Sequence, residues 1–217
     1  MSQAARFHMI DSQIRPSDVT DVRVLAALGT VARENFVPRA ARALAYADVS
    51  VEVAPGRFLL EPRCFAKLLQ LAAITAEDRI LDVGCATGYS AAVLARLGGK
   101  VVALEQDADL LRIASDALSS TPIILVQGAL IEGAKGEGPF DVIVVEGAIE
   151  QVPETLLSQL AEGGRLVAVM NDGAPENSAN GEATLFLKEN GIVGRRAVFD
   201  AAVPVLAGFK KMMGFVF

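Results

Sequence analysis

The run Ile80 to Tyr89, ILDVGCATGY, sets an acid near the end of an apolar stretch and follows it with a turn bearing Gly84 and Gly88. A segment of helical period continues to Leu97, and the next apolar run, VVALE, ends on a second acid, Glu105. This spacing predicts strand, glycine turn and helix. Glycines let the backbone turn sharply and approach a ligand, and a helix start offers free N–H groups. The pattern therefore suits a nucleotide-type cofactor. Dinucleotide sites prefer G-x-G-x-x-G, but that register here reads Gly84, Ala86 and Tyr89, which disfavours a pyrophosphate. An acid at Asp82 instead suits an ammonium group, as S-adenosylmethionine carries, and Glu105 can accept hydrogen bonds from two ribose hydroxyls. Cys85 reads as a small turn residue, because no base stands near it in sequence.

Other chemistries are excluded by composition. The chain has 217 residues, one His (His8), two Cys (Cys64 and Cys85) and no Trp. A lone histidine rules out multi-histidine metal sites and paired-histidine relays, so no metal is expected. Two cysteines without CxxC spacing fit a reducing compartment, and the N-terminus lacks a signal-peptide pattern. We read a cytoplasmic chain with no membrane partner. Twenty Lys plus Arg against 26 Asp plus Glu leave a formal charge of −6, which argues against nucleic-acid binding through clustered cations.

The elements that must position the two acids follow a parallel-sheet pattern. Strands are predicted at 79–83, 101–105, 123–127, 140–146 and 165–170, with helices at 89–97, 108–118 and from Pro153 to Gly163. Continuous apolar runs such as DVIVV imply strands buried on both faces. The expected fold is α/β: a doubly wound, mostly parallel, seven-stranded-type Rossmann-like sheet. Residues 1–78 read as a mainly helical N-terminal extension, with a helix capped by Asp18 or Thr20 and another starting at Pro62. Between them, 50–62 reads as an irregular segment or short strand pair. Residues 79–170 form the cofactor core, and 171–217 add antiparallel strands at 183–188, 195–203 and 214–217. The length fits one domain.

With these blocks in place, the chain resembles protein-L-isoaspartate O-methyltransferases over nearly its whole length. The resemblance rests on MIDSQIRPSDVTDVRVLAAL with FVP (36–38) and AYAD (45–48), on ILDVGCATGYSAAVLARLG, and on FDVIVVEGAIEQVPETLLSQLAEGGRLVAVM. It implies a class I methyltransferase core with S-adenosyl-L-methionine as methyl donor. It further implies that Asp82, Gly84 and Gly88 hold the methionine part and Glu105 the ribose, with Cys85, Ala86, Gln106 and Gly128 also at the cofactor and Ala129 where the family has an acid on the adenine. The implied acceptor is a carboxylate on a peptide or protein, or a small acid. Its methylation would begin repair of damaged aspartyl residues.

Two departures bear on that activity. Family members read G-Q-T-I-S-x-P where this chain has Gly56-Arg57-Phe58-Leu59-Leu60-Glu61-Pro62, so Leu60 stands in place of a serine that contacts substrate. Where the family has G-D-G, this chain has Gly128-Ala129-Leu130. A carboxylate with a pKa of about 4 is already ionised at neutral pH. Transfer to it needs no base and rests on alignment, so the serine matters more than any titratable group. Arg57 and Arg63 flank the altered segment and can take a carboxylate by a bidentate contact. Glu146, at the end of the fourth predicted strand, faces the expected crevice. Three readings follow: isoaspartyl methylation, methylation of another acceptor, or a cofactor-binding module without turnover.

Overall fold

The computed structural model describes residues 3–171 and 180–210. The N-terminal part contributes helices α1 (Gln3–Met9), α2 (Val22–Thr30) and α3 (Pro62–Ala72), with a hairpin of β1 (Val51–Ala54) and β2 (Arg57–Leu59) before α3. Then follow β3 (Arg79–Val83), α4 (Tyr89–Leu94), β4 (Lys100–Glu105), α5 (Ala108–Ala117), β5 (Ile123–Gln127) and β6 (Phe140–Ile149). The chain continues through α6 (Glu154–Leu157), β7 (Leu160–Met170), β8 (Asn180–Glu189) and β9 (Ile192–Ala202).

Seven strands form one sheet in the order β5-β4-β3-β6-β7-β8-β9. Strands β3 to β7 run parallel, and β8 and β9 are antiparallel additions. Alternate residues enter opposite faces, as the side-chain period of two requires. Ile80, Ala103, Val142, Val144 and Val167 join the cluster containing the N-terminal helices. Leu81, Val83, Val102, Ile143 and Leu166 join the other face. Both faces are covered, as the doubly wound reading requires. Asp82, Glu105 and Glu146 have the parity of the first set. Alternation alone therefore carries all three acids toward the N-terminal extension.

The chain runs outward from β3 through β4 to β5, then returns to the other side of β3 at β6. That reversal leaves a crevice at the carboxyl ends of β3 and β6, where ligands bind in open α/β sheets. Pairing of β3 with β6 ends at Val83 and Val145. Beyond it, β6 stays paired with β7, and the side β3 vacates is taken by the C-terminal segment through Ala148 N–H to Pro204 O (3.0 Å) and Leu206 N–H to Ala148 O (2.8 Å).

Several sequence expectations are corrected. The helix expected from Pro153 to Gly163 is only the single turn α6, because Leu160 already pairs with Phe140 at the start of β7. The helix expected over 89–97 closes its regular part at Leu94. The cap of α2 is Asp21, whose carboxylate accepts from Arg23 N–H at 2.8 Å, rather than Asp18 or Thr20. Asp18 lies in the left-handed region, and Thr20 N–H is bound by Gln70 Oε1 at 2.7 Å. Helix does not dominate 33–61, which holds 3₁₀ turns and the hairpin. The strand expected at 214–217 lies outside the described residues.

Candidate active site

Asp82 is wholly buried. Its Oδ2 accepts the Ser90 hydroxyl at 2.7 Å, while Oδ1 has no hydrogen-bond partner among the described residues. Burial pushes its pKa up to about 7, with the charge of Glu105 adding to the rise while the Ser90 hydrogen bond and Arg57 oppose it. Glu146 is also buried, with Oε1 unpartnered. Its pKa is pushed well above the usual carboxylate range by burial and by Asp82, against the opposing charge of Arg33. A buried polar atom left without a partner costs about 1 to 3 kcal/mol, more when charged. Two such atoms at the crevice mark the place where a ligand's donor groups would be satisfied.

The turn from β3 to α4 carries Gly84 (φ +84°), Ala86 (φ +49°) and Gly88 (φ +93°). Ala86 is the non-glycine of the three, and its left-handed backbone costs about 1 to 2 kcal/mol. Its N–H donates to Glu105 Oε2 at 2.9 Å, which holds that conformation. A β-carbon on Gly88 would lie 2.8 Å from Leu118 Cδ1 and 3.2 Å from Ala114 Cβ, so this glycine lets the C-terminal end of α5 approach the turn. Gly88→Ala is expected to destabilise the chain by about 2 to 3 kcal/mol, from the left-handed backbone and the crowding together. Urea unfolding of the variant checks this. In a Leu118→Ala background the same substitution should cost mainly the backbone part, because the crowding contact is gone.

Glu105, also wholly buried, is the most heavily bonded acid in the site. Oε1 accepts from Arg57 Nη1 (2.5 Å), Gln106 N–H (2.8 Å) and Asp107 N–H (3.0 Å); Oε2 accepts from Arg57 Nη2 (2.7 Å) and Ala86 N–H. Arg57 is only 5% exposed, and its Nη2 also reaches Gly84 O at 3.2 Å. The expectation that Arg57 is free to take a substrate carboxylate is therefore corrected: its guanidinium is spent on Glu105. Arg63 is the member of the pair that stays half-exposed, bound loosely to Asp48 and Glu61.

Leu60 is 2% exposed, and its carbonyl accepts from Arg33 Nη2 at 2.7 Å. Arg33 was not singled out by sequence. It is a buried guanidinium lying 4.7 Å from the centre of the Tyr89 ring, itself flanked by Phe36 and Phe65. Nothing in its local sequence marks it, because its partners are 27 and 56 residues away. Ser90 was also missed, although a hydroxyl one residue into α4 is placed to face the acid of the preceding strand. Gln106 and Ala129 are exposed and Gly128 half-buried, with Gly128 N–H on Glu105 O at 3.1 Å. Both thiols are buried and free. Burial pushes Cys64 up to about 12 and Cys85 well above its ordinary value, so neither serves as a nucleophile.

Next to this crevice, on the α3 side, lies a cleft of about 870 Å³. Its walls include Asp18, Glu61, Arg63, Cys64, Lys67 and Asp200, and neither Asp82 nor Glu105 lines it. Cys64 joins the two regions, since its thiol is raised in part by the charge of Glu146.

A parallel sheet with an acid-tipped glycine turn at its reversal point defines the class: a Rossmann-like methyltransferase fold. A solved protein-L-isoaspartate O-methyltransferase superposes with a TM-score of 0.78 at 24% identity, covering 96% of this chain and 66% of that one. A Plasmodium falciparum protein assigned to the same activity, solved with S-adenosyl-L-homocysteine, gives 0.76 at 19% identity and covers 94% and 97%. In sequence, the protein-L-isoaspartate O-methyltransferase of Koribacter versatilis is 40% identical over 177 residues, 80% of this chain and 79% of that one. That of Methylorubrum populi is 38% identical over 170 residues, 77% and 80%. The family model for protein-L-isoaspartate(D-aspartate) O-methyltransferase matches residues 4–199, and the chain belongs to this family.

Proposed function

We propose that the chain is an S-adenosylmethionine-dependent O-methyltransferase of the isoaspartyl type, acting on a carboxylate of a peptide or protein. The observation that carries this is the pair of wholly buried acids at adjacent strand ends, Asp82 with one oxygen unpartnered and Glu105 beside it. The methionine end of the cofactor fits: Asp82 would hold its ammonium group, and Ser90 fixes the carboxylate that does so. Glu105 would hold the ribose, with Gln106 and Gly128 beside it and Ala129 toward the adenine. When bound, the cofactor supplies an electrophilic methyl group. This chain's own residues then bind and orient, and a carboxylate acceptor brings its own negative charge, so no base is required.

The adjoining cleft supports the acceptor side, with Leu60 at the position of the family's substrate-contacting serine and the buried Glu146 among the site's acids. The two buried free thiols accord with the cytoplasm. Among the described residues, no helix is long and apolar enough to cross a membrane. An apolar cluster running from Met9 to Val203 supports one domain across 1–217.

A second reading, a different acceptor, is favoured by the cleft's charge. Asp18, Glu61, Glu182 and Asp200 line it against Arg63 and Lys67, and Leu60 offers no hydrogen bond. Incubation with methyl-labelled S-adenosylmethionine and an isoaspartyl peptide is the test. Base-labile label on the peptide is the expected result. Cofactor binding without transfer would point to the second reading.

A further inference from the structure

We infer that Arg57 is a displaceable latch on the nucleoside part of the cofactor site: its guanidinium occupies the carboxylate a ribose diol would take, and ligand entry must withdraw it. This rests on the methyl-donor reading above. Glu105 accepts five hydrogen bonds, two of them from Arg57 in a bidentate pair. A ribose diol would present two donors to the same two carboxylate oxygens that Arg57 now holds as a bidentate pair, and the three backbone N–H groups would still hold Glu105 if Arg57 left. A β-carbon on Gly84 would lie 3.3 Å from Arg57 Nη2 and from Leu206 Cδ2, so Arg57 and Leu206 together cover the glycine a cofactor would approach.

The latch is mounted so that it can move. Strands β1 and β2 pair with each other and form no part of the seven-stranded sheet. Withdrawing the Arg57 side chain therefore breaks no ladder of that sheet, and Val51, Leu59 and Leu60 keep the hairpin packed in the apolar core. Arg57 Nε is already buried without an acceptor, so the guanidinium is not fully satisfied where it sits. Leu60 follows three residues after Arg57, with its carbonyl on Arg33. Cofactor entry thus acts on the same short segment that carries the residue standing at the family's serine position.

Calorimetry with S-adenosylhomocysteine tests this on the full chain and on Arg57→Gln, which shortens the side chain, removes the charge and restores the residue of the G-Q-T-I-S pattern. Binding to the variant is expected to be at least tenfold tighter. Equal or weaker binding, in a variant whose thermal midpoint matches the parent's, overturns the latch and leaves the methyl-donor reading standing. Absence of binding to both proteins overturns that reading and the latch with it. A variant that does not fold leaves the parent to decide. Guanidinium NMR signals of Arg57, split by the bidentate pair, should merge toward the free average on saturation with S-adenosylhomocysteine. Split signals that persist in the saturated protein overturn the latch.

Discussion

An Asp82→Asn chain is expected to be more stable than the parent at pH 8 by about 2 to 4 kcal/mol, and to bind S-adenosylhomocysteine at least tenfold more weakly. The stability gain follows from linkage. Asp82 has a pKa of about 7 in the folded chain against an ordinary 3.8, so between those values the folded state holds a proton that the unfolded state has lost. The stability associated with that proton is fully present below about pH 4 and is lost as pH rises through 7. At pH 8 the folded chain carries a charge in a wholly buried position, with one oxygen unpartnered. Asparagine has nearly the same shape, its carbonyl can still accept the Ser90 hydroxyl, and it carries no charge to desolvate. The difference between variant and parent should therefore vanish below about pH 4, open between about pH 4 and 7, and stay level above that. Urea titrations across that range read it, and a difference constant with pH would show that packing, and not ionisation, sets the effect. The loss of binding follows from the same charge, since a hydrogen bond to an ionised partner contributes about 1.5 to 3 kcal/mol. One residue is thus kept at a cost to stability for what it can hold.

How much of this site could be seen in the sequence depends on how far apart its partners lie. Asp82, Gly84 and Glu105 were legible because strand, turn and strand end are local patterns, and alternation puts both acids on one face without any knowledge of the fold. The five parallel strands were legible for the same reason. Arg57 was visible as a charge in an altered segment, but the acid that takes it is 48 residues away, and only the hairpin's path across the crevice brings them together. Arg33 was invisible because a buried arginine has no local signature; its place is set by the Leu60 carbonyl and the Tyr89 ring. The short α6 failed differently. Leu156, Leu157 and Leu160 have helical spacing, yet Leu160 gains more by joining β7 opposite Phe140, and Gly164 then passes within reach of Ala161 O and Phe140 O, where a side chain would not fit. Tertiary pairing overrode a three-residue periodicity that was too short to resist it.

Leu60→Ser is expected to raise kcat/KM for an isoaspartyl peptide by ten- to a hundredfold. The argument is one of alignment. A carboxylate acceptor is already ionised, so its rate depends on holding one oxygen in line with the methyl group. Leu60 is buried, stands where the family has its substrate-contacting serine, and cannot donate a hydrogen bond. A serine hydroxyl there would contribute about 1.5 to 3 kcal/mol to a charged acceptor, which is the stated range of rate. It would also cost stability. Removing most of a leucine side chain from a position 2% exposed should destabilise the fold by about 2 to 5 kcal/mol, while the backbone carbonyl keeps Arg33 in place. These two effects separate cleanly in a control, Leu60→Ala, which opens the same space without the hydroxyl. If the gain belongs to the hydroxyl, the alanine variant is equally destabilised and no faster, and S-adenosylhomocysteine binds both variants alike. A gain shared by alanine would mean that Leu60 merely obstructs the acceptor. No gain in a folded serine variant would mean that the acceptor this chain has settled on is not an isoaspartyl carboxylate, and the acid-lined cleft beside α3 would then be the place to look for the group it does methylate.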